Sequence, residues 1–305
     1  MSPDTPPRLF DRNLVSRHRD RAARTLADYN FLVRRAFDDI CDRVESVTRD
    51  FERAAVLGGG PGLLDELAAR PAGSKTGWVV QSDLAPAVAA RLDRPALALD
   101  EECLPFAEDS LDLVIAPWGL HWTNDLPGVL VQINRTLRPD GFFAASLLGG
   151  GTLGELRQCL MTAESELTGG VAARVSPYAG TFDMAALLQR AGFAMPVADI
   201  DRVTVRYDNA FALMADLRGM GETTALADRP RNPASRTLFV RTAELYAQRF
   251  SDPDGRIRAT FEIVHAAGWA PHPDQPRPKR PGSATHRLAD ALGVPERSLG
   301  EKAGR

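Results

Sequence analysis

The sequence predicts an α/β protein built on a doubly wound, mainly parallel sheet. From Ala54 onward, short apolar runs alternate with helical stretches, as expected of parallel strands joined by crossover helices. The first run leads into a glycine-rich turn, and the second ends in an acidic residue. With 305 residues, 44% of them hydrophobic and 25% charged, the chain is long enough for one large domain with additions.

The first five strands and their helices can be assigned in order. We expect strands at Ala54–Leu57, Gly77–Gln81, Ala96–Leu99, Leu111–Ala116 and Gly141–Leu147. The helices between them are predicted at Leu63–Ala69, Pro86–Leu92 and Leu126–Leu137. Arg138-Pro139-Asp140-Gly141 reads as a helix stop and a turn.

Beyond Leu147 the alternation is less regular. We expect helices at Thr152–Leu167, Met184–Ala191, Phe211–Arg218 and Arg236–Phe250, and strands at Val203–Tyr207 and Ala259–Ala266. The predicted organisation is a basic helical arm at 1–52, a sheet domain at 53–270 with a helical insert at about 208–255 over one sheet edge, and a proline-rich, partly disordered tail at 271–305.

Composition and charge argue against some classes of function, namely nucleic acid binding and membrane spanning. The net charge of −3 gives no overall basic field, so no nucleic acid partner is expected. No apolar run of about 18 residues is present, so we expect no membrane span. Cys41, Cys103 and Cys159 form no CxxC pair and are interpreted as reduced thiols. Without a signal peptide pattern, the expected location is cytoplasmic, of bacterial type, with a partner as the route to any membrane association.

The N-terminal arm is rich in arginine. Residues 8–24 carry six arginines against Asp11 and Asp20 and lead into an apolar helical pattern from Leu26 to Ile40. One interpretation is a basic helix that touches an acidic partner or covers a cleft. The other is a solvated helix face, which is what most charge runs are.

The glycine loop is the most informative local feature. Gly58, Gly60 and Gly62 follow the first predicted strand and precede a helix. Glycines let the backbone turn sharply and let a ligand lie against it. Position 63 is leucine and no Gly-Lys-Ser/Thr follows, so neither the dinucleotide spacing nor a phosphate-binding P-loop is present.

Acidic residues follow the next two strands. Asp83 ends the second strand, where a carboxylate meets an adenosine ribose in doubly wound folds. Asp100 and Glu101 end the third, where Asp100 is suited to accept a hydrogen bond from an adenine amino group. The alternative is that these are turn residues.

The chain resembles the class I S-adenosylmethionine-dependent methyltransferases. It is most similar to the mitochondrial complex I assembly factor 5 family and more distantly to the biotin-pathway malonyl-carrier-protein methyltransferase. The stretches that carry the resemblance are Leu9–Arg12, Leu104–Val114, Leu120–Pro127, Gly150–Arg157, Val175–Pro177, Met214–Glu222 and Arg280–Ala284.

The resemblance implies a Rossmann-like sheet that binds S-adenosylmethionine. It assigns the cofactor to Gly58, Gly60, Gly62, Asp83, Leu84, Asp100, Glu101 and Pro117. The family loop usually carries an acidic residue two positions before its first glycine, where this chain has Val56, and a cysteine or similar residue at Gly59. The missing carboxylate is a group that orients the loop and the cofactor's ammonium.

Three functions follow from the resemblance. The first is modification of a protein substrate, with a complex I subunit as the partner. The second is a non-methylating assembly factor, either an arginine hydroxylase or a subunit-binding chaperone. The third is O-methylation of a small molecule or carrier protein.

No residue is diagnostic of the reaction, because methyl transfer depends on alignment more than on an acid or base. His121 and Tyr178 are candidate catalytic residues, and Trp118 or Trp122 is suited to wall a pocket. The alternative is that the aromatics and His121 only pack a helix on the sheet. No metal-binding pattern is evident among the five histidines. The stretch Asp216–Glu222 either faces a substrate or fixes the insert to the sheet.

Overall fold

The computed structural model describes residues 8–93, 95–230, 232–276, 283 and 288–295. The strands are β1 Phe51–Gly58, β2 Thr76–Asp83, β3 Ala96–Ala98, β4 Leu111–Trp118, β5 Leu137–Leu148, β6 Ala194–Tyr207 and β7 Ile257–Trp269. The α-helices are α1 Arg12–Ala22, α2 Phe31–Ser46, α3 Leu63–Ala68, α4 Pro71–Ser74, α5 Pro86–Ala89, α6 Leu126–Thr136, α7 Gly154–Thr168, α8 Thr181–Arg190, α9 Ala210–Gly219, α10 Arg236–Phe250 and α11 Leu288–Leu292. Short 3₁₀ turns lie at Leu26–Tyr29 and Leu120–Trp122.

These strands form one sheet in the order β3-β2-β1-β4-β5-β7-β6. The pairs from β3 to β5 are parallel, and β7 runs antiparallel to both β5 and β6. The strand order reverses between β1 and β4, and ligands of open α/β sheets bind at the carboxyl ends of strands beside such a switch point. The expected doubly wound, Rossmann-like fold is confirmed.

Helices cover both faces of this sheet. Along β1, Ala54 and Val56 pack into a core with α2, α7, α9 and α10, while Ala55 and Leu57 pack into a second core with α6 and α8. All eight residues of β4 are buried, which explains its near-continuous apolar sequence. The insert helices share the first core with β6 and β7, so they lie against one face of the sheet near its β6 edge.

The structure corrects several predicted boundaries. The apolar pattern from Leu26 to Ile40 is broken at Asn30 into a 3₁₀ turn and α2. Arg138–Gly141 does not end a helix in a turn: it lies inside β5, where the pairing with β4 shifts register and Asp140 has φ +64°. The turn-forming residues thus make an irregularity within a strand.

The predicted strand at Val203–Tyr207 is only the last part of β6, which begins at Ala194. β6 is an edge strand, and its residues alternate between exposed and partly covered positions. Pro196 and Asp199 lie in its first half, so its apolar signal is weak.

The described residues up to Pro271 belong to one compact unit, and those from His272 onward to a second, which contains α11. The basic stretch Arg277–Arg280 of the predicted tail lies outside the described residues. In the part of the chain that is described, no helix is long and apolar enough to span a membrane. Cys41 and Cys159 are buried free thiols, and Cys103 is an exposed one.

Candidate cofactor and substrate site

The glycine loop between β1 and α3 has the conformation that its sequence predicts. Gly58, Gly59, Gly60 and Gly62 all have φ between +78° and +89°, where a side chain would be strained. A Cβ atom at Gly58 would lie 2.1 Å from the carbonyl oxygen of Trp118, so β1 and β4 approach too closely there for any other residue. A Cβ added at Gly62 would meet none of the described atoms within 4 Å, which leaves room for a ligand.

Gln81 of β2 fixes the loop and faces the same region. Its side-chain amide donates a hydrogen bond to the carbonyl oxygen of Gly60 at 3.0 Å. Its Oε1 atom is buried and has no hydrogen-bond partner among the described residues. A buried acceptor without a donor costs free energy, so a polar ligand with a free N–H or O–H group fits beside this loop.

Three acidic residues gather at the carboxyl ends of β2 and β3, as predicted. Asp83 and Glu101 are buried, while Asp100 is partly exposed. Glu101 also lies beside the loop, since its Oε1 is 4.0 Å from the position that a Gly58 Cβ would take. Val56, which stands at the usual acidic position, is fully buried in the core. Glu101, which follows β3, is a carboxylate near the loop from another part of the chain.

Two arginines of α1 bind these acids. Arg19 donates from Nε to Asp83 Oδ1 at 3.0 Å and from Nη2 to the other oxygen. Arg12 donates to Asp100 at 2.6 Å and to Glu101. The interpretation that the arm covers a cleft therefore holds for Arg12 and Arg19, and a solvated helix face is wrong for them. The other arginines of the run are exposed: Arg8, Arg17, Arg21 and Arg24.

Burial and charge act against each other in this cluster. Burial raises the pKa of Glu101, although the Arg12 guanidinium acts to lower it. Burial acts to lower the pKa of Arg19, but the carboxylates of Asp83, Glu222 and Glu101 together raise it above its ordinary value. Arg19 therefore stays charged inside the protein.

A second buried cluster forms around Glu222, which follows α9. Its Oε1 accepts a hydrogen bond from Trp118 Nε1 at 2.8 Å. Its Oε2 lies 3.0 Å from His121 Nε2 and accepts from Trp122 Nε1 at 2.9 Å. Arg19 Nη1 is 4.0 Å from Oε1, so the two clusters share one cation.

The surroundings of Glu222 keep it ionised. Burial acts to raise its pKa, but His121, Arg19 and the hydrogen bond from Trp118 outweigh burial and lower it. The Tyr178 ring lies edge-on to His121 at 5.3 Å between centroids, and burial followed by the Glu222 charge raises the Tyr178 pKa. Tyr178 thus stays neutral beside an ionised carboxylate.

A cavity of about 920 Å³ opens on this cluster. Tyr178 and Glu222 belong to its lining, together with apolar residues of α7 and α9. In the stretch Asp216–Glu222, Arg218 and Glu222 border the cavity, Met220 is buried in the core, and Leu217 belongs to both. Leu217 and Met220 therefore fix the insert to the sheet, while contact of this stretch with a substrate stays a prediction.

The structure brings most of the predicted site residues together. Gly58, Gly60, Asp83, Asp100 and Glu101 lie around the loop and the arm. Leu84 packs beside Phe10 and Trp122, and Pro117 lies against Gly59. Sequence reasoning did not assign Arg12, Arg19 or Gln81 to the site, and it named Glu222 only as the end of the stretch Asp216–Glu222. Among the described residues, no group of three or more His, Cys, Asp or Glu is arranged to hold a metal ion.

Comparisons with known proteins agree with this geometry. Residues 56–145 match the family model of a methyltransferase domain. The chain is 38% identical to arginine-hydroxylase NDUFAF5, mitochondrial, of Rattus norvegicus, over 95% of this chain and 86% of that protein. It is 33% identical to malonyl-[acyl-carrier protein] O-methyltransferase of Laribacter hongkongensis, over 88% of this chain and 92% of that one.

A solved structure from Bacillus halodurans C-125, described as a candidate methyltransferase, has a TM-score of 0.48 and 15% identity to this chain. The match covers 77% of this chain and 98% of that one.

Proposed function

Because this chain belongs to the NDUFAF5 family of class I S-adenosylmethionine-dependent methyltransferases, we propose that it is an enzyme that modifies a protein substrate during assembly of respiratory complex I. S-adenosylmethionine is the cofactor of this class. The observation that carries the proposal is the position of Arg19, which contacts both Asp83 and Glu222. The expected cofactor site and the cavity are therefore neighbours.

The residues around the loop fit the cofactor. A Cβ at Gly62 would meet no described atom within 4 Å, so space is open there, and Gln81 has an unpaired buried acceptor. The loop, Asp83 and Asp100 would hold the cofactor at the ends of β1, β2 and β3. When bound, S-adenosylmethionine supplies an electrophilic methyl group.

Glu222 is suited to orient the acceptor group of a substrate. Among the residues that the structure describes, its Oε1 accepts a hydrogen bond within 3 Å from the Trp118 N–H alone, so it can accept one further hydrogen bond. An ionised, buried carboxylate would hold the N–H or O–H group of a side chain in the cavity at a fixed position, and it would stabilise positive charge that develops there. The ring of Tyr178 and the apolar lining would exclude water.

The test is modification of unassembled complex I subunits by the purified protein. With cofactor labelled at the methyl group, we expect mass spectrometry to find the label on one subunit. The Asp83→Asn variant should lose at least about tenfold in cofactor affinity, because it loses a charged hydrogen-bond acceptor. Gain of an oxygen atom instead of the label would contradict methyl transfer and favour the activity for which the rat relative is named.

A second candidate function is subunit binding without methyl transfer. It is favoured by Arg19, which occupies both oxygens of Asp83, and by Val56 in place of the acidic loop residue. In that case the wild-type protein would retain a complex I subunit on an affinity column and leave its mass unchanged, and calorimetry would detect no binding of S-adenosylmethionine.

A further inference from the structure

The cavity beside Glu222 combines apolar walls with a polar edge. Its walls include Leu156, Leu160 and Met214, and Phe211 borders it with 49% of its surface exposed. Thr224 and Asn232 add polar groups along one side. A volume of about 920 Å³ is near the upper end for small-molecule sites. The cavity therefore has room for several consecutive side chains.

The charge around the cavity is strongly positive. Four arginines line it: Arg174, Arg218, Arg229 and Arg236. Glu222 is the one carboxylate among its described lining residues, and its charge is already balanced by donors in the protein interior.

Two of these arginines are available for a ligand. Arg174 pairs with Glu164 at 2.5 Å, and Arg229 lies 3.3 Å from Asp11. Arg218 of α9 and Arg236 of α10 are exposed, and neither side chain makes a hydrogen bond or an ion pair with any residue that the structure describes. The net charge of the whole chain is −3, so these unpaired arginines are a local feature of the cavity and not part of a general positive charge.

We propose that the cavity binds a polypeptide segment in which acidic residues lie beside apolar ones. The apolar side chains would lie against Phe211 and Met214, and the acidic ones would pair with Arg218 and Arg236. This inference rests on the proposed function, because the bound segment would be the part of the protein substrate that flanks the modified residue. A single small oxyanion would leave most of the apolar wall uncovered, which favours a peptide.

The test uses fluorescein-labelled peptides of equal length and leucine content whose other positions are glutamate, lysine or serine. Binding to the full chain is followed by fluorescence anisotropy. We expect the glutamate peptide to bind more tightly than the other two. The Arg218→Glu/Arg236→Glu variant should weaken that binding by about tenfold, as expected for loss of two exposed ion pairs.

The matched control is Arg53→Glu/Arg190→Glu, which changes the net charge equally at exposed positions outside the cavity. It should bind the glutamate peptide like the wild type. Equal binding of all three peptides, or equal weakening by both variants, would overturn the proposal. So would displacement of the peptide by inorganic phosphate but not by chloride at the same ionic strength, because the site would then be one for small oxyanions.

Cofactor binding is measured on the same samples. If S-adenosylmethionine binds but peptide selectivity is absent, the inference about the cavity fails and the proposed function stands. If the cofactor does not bind while the glutamate peptide does, methyl transfer fails and the cavity assignment stands.

Discussion

Glu222 shows how one side chain can connect two parts of a site. It lies in the protein interior with 5% of its surface exposed, and its hydrogen-bond partners come from the end of β4 and the turn that follows. A buried carboxylate is stable only when such donors compensate for lost hydration. Its charge is therefore part of the fold as well as of the candidate site.

Replacing Glu222 with glutamine should destabilise the protein in a pH-dependent manner. The folded-state pKa of Glu222 is below its ordinary value of 4.5, so its stabilising contribution is complete above that pH and is lost as pH falls below it. We expect a loss of about 3 kcal/mol at neutral pH. The difference from wild type should shrink at about pH 4 and below.

Urea unfolding of the wild type and the variant, at neutral pH and at about pH 4, measures the difference in the free energy of unfolding. The exposed Glu244→Gln variant is the control and should change the free energy of unfolding by less than about 0.5 kcal/mol. If the Glu222→Gln variant loses the same free energy of unfolding at both pH values, the charge of Glu222 is not the cause of the loss.

The sequence identifies the loop residues and strand-end acids because each follows directly from its local pattern. Gly58 and Asp83 lie at the ends of recognisable strands, where the fold requires a turn or favours a ligand. Glu222 has no such signal. It lies about a hundred positions from His121 along the chain, and only tertiary packing brings the two together.

At the scale of elements, α1 acts as a cover over the strand ends. Arg12 and Arg19 are seven residues apart, which is two helical turns, so both project from the same face. The side chain of Leu26, which follows this helix, lies against Gly60, where an added Cβ would come within 2.8 Å of it. The helix therefore contacts the acids, and the 3₁₀ turn that follows it contacts the loop.

Substituting Arg19 with glutamine should lower the free energy of unfolding by about 3 kcal/mol, because Asp83 and Glu222 would lose their shared buried cation. Chemical denaturation followed by circular dichroism measures the loss. Arg21→Gln changes an exposed arginine of the same helix and should have little effect. Similar losses in the two variants would mean that general charge, and not the buried pairs, matters.

The elements that sequence analysis predicted best have a strong apolar pattern. The helix expected at Arg236–Phe250 has those bounds in the structure, and the apolar runs Ala54–Leu57 and Leu111–Ala116 locate β1 and β4 to within three residues. β6 was recognised only in part, because its first half is exposed on alternate residues and contains proline. The arginines of α1 that are buried are those that face acidic residues of the sheet domain. The spacing of arginines in the arm does not reveal which ones these are.

At the scale of the whole molecule, the arm, sheet and insert share their cores. Leu32 and Phe37 of α2 belong to the same cluster as Leu213 of α9 and Phe261 of β7. A shared core makes separate unfolding of the arm or insert costly, because each would expose apolar surface of the sheet.

We therefore expect the unit that ends at Pro271 to unfold in a single transition. In a Trp78→Phe/Trp269→Phe variant, tryptophan fluorescence reports on Trp118 and Trp122 in the buried cluster, while far-ultraviolet circular dichroism reports on all helices and strands. The two curves should coincide during urea unfolding. A fluorescence change that precedes the loss of circular dichroism would indicate that the arm and the Glu222 cluster open before the sheet.

The distribution of the Glu222 cluster along the chain restricts how this protein can be recombined with its relatives. The carboxylate belongs to the insert, its ring donors to the end of β4 and the turn that follows, and its cation to the arm. A chimera that exchanges the insert alone keeps these contacts only if the incoming insert places a carboxylate at position 222 opposite the native donors. A working chimera should therefore exchange three segments together, although they lie far apart in the gene: the arm, the segment from Trp118 to Trp122, and the insert.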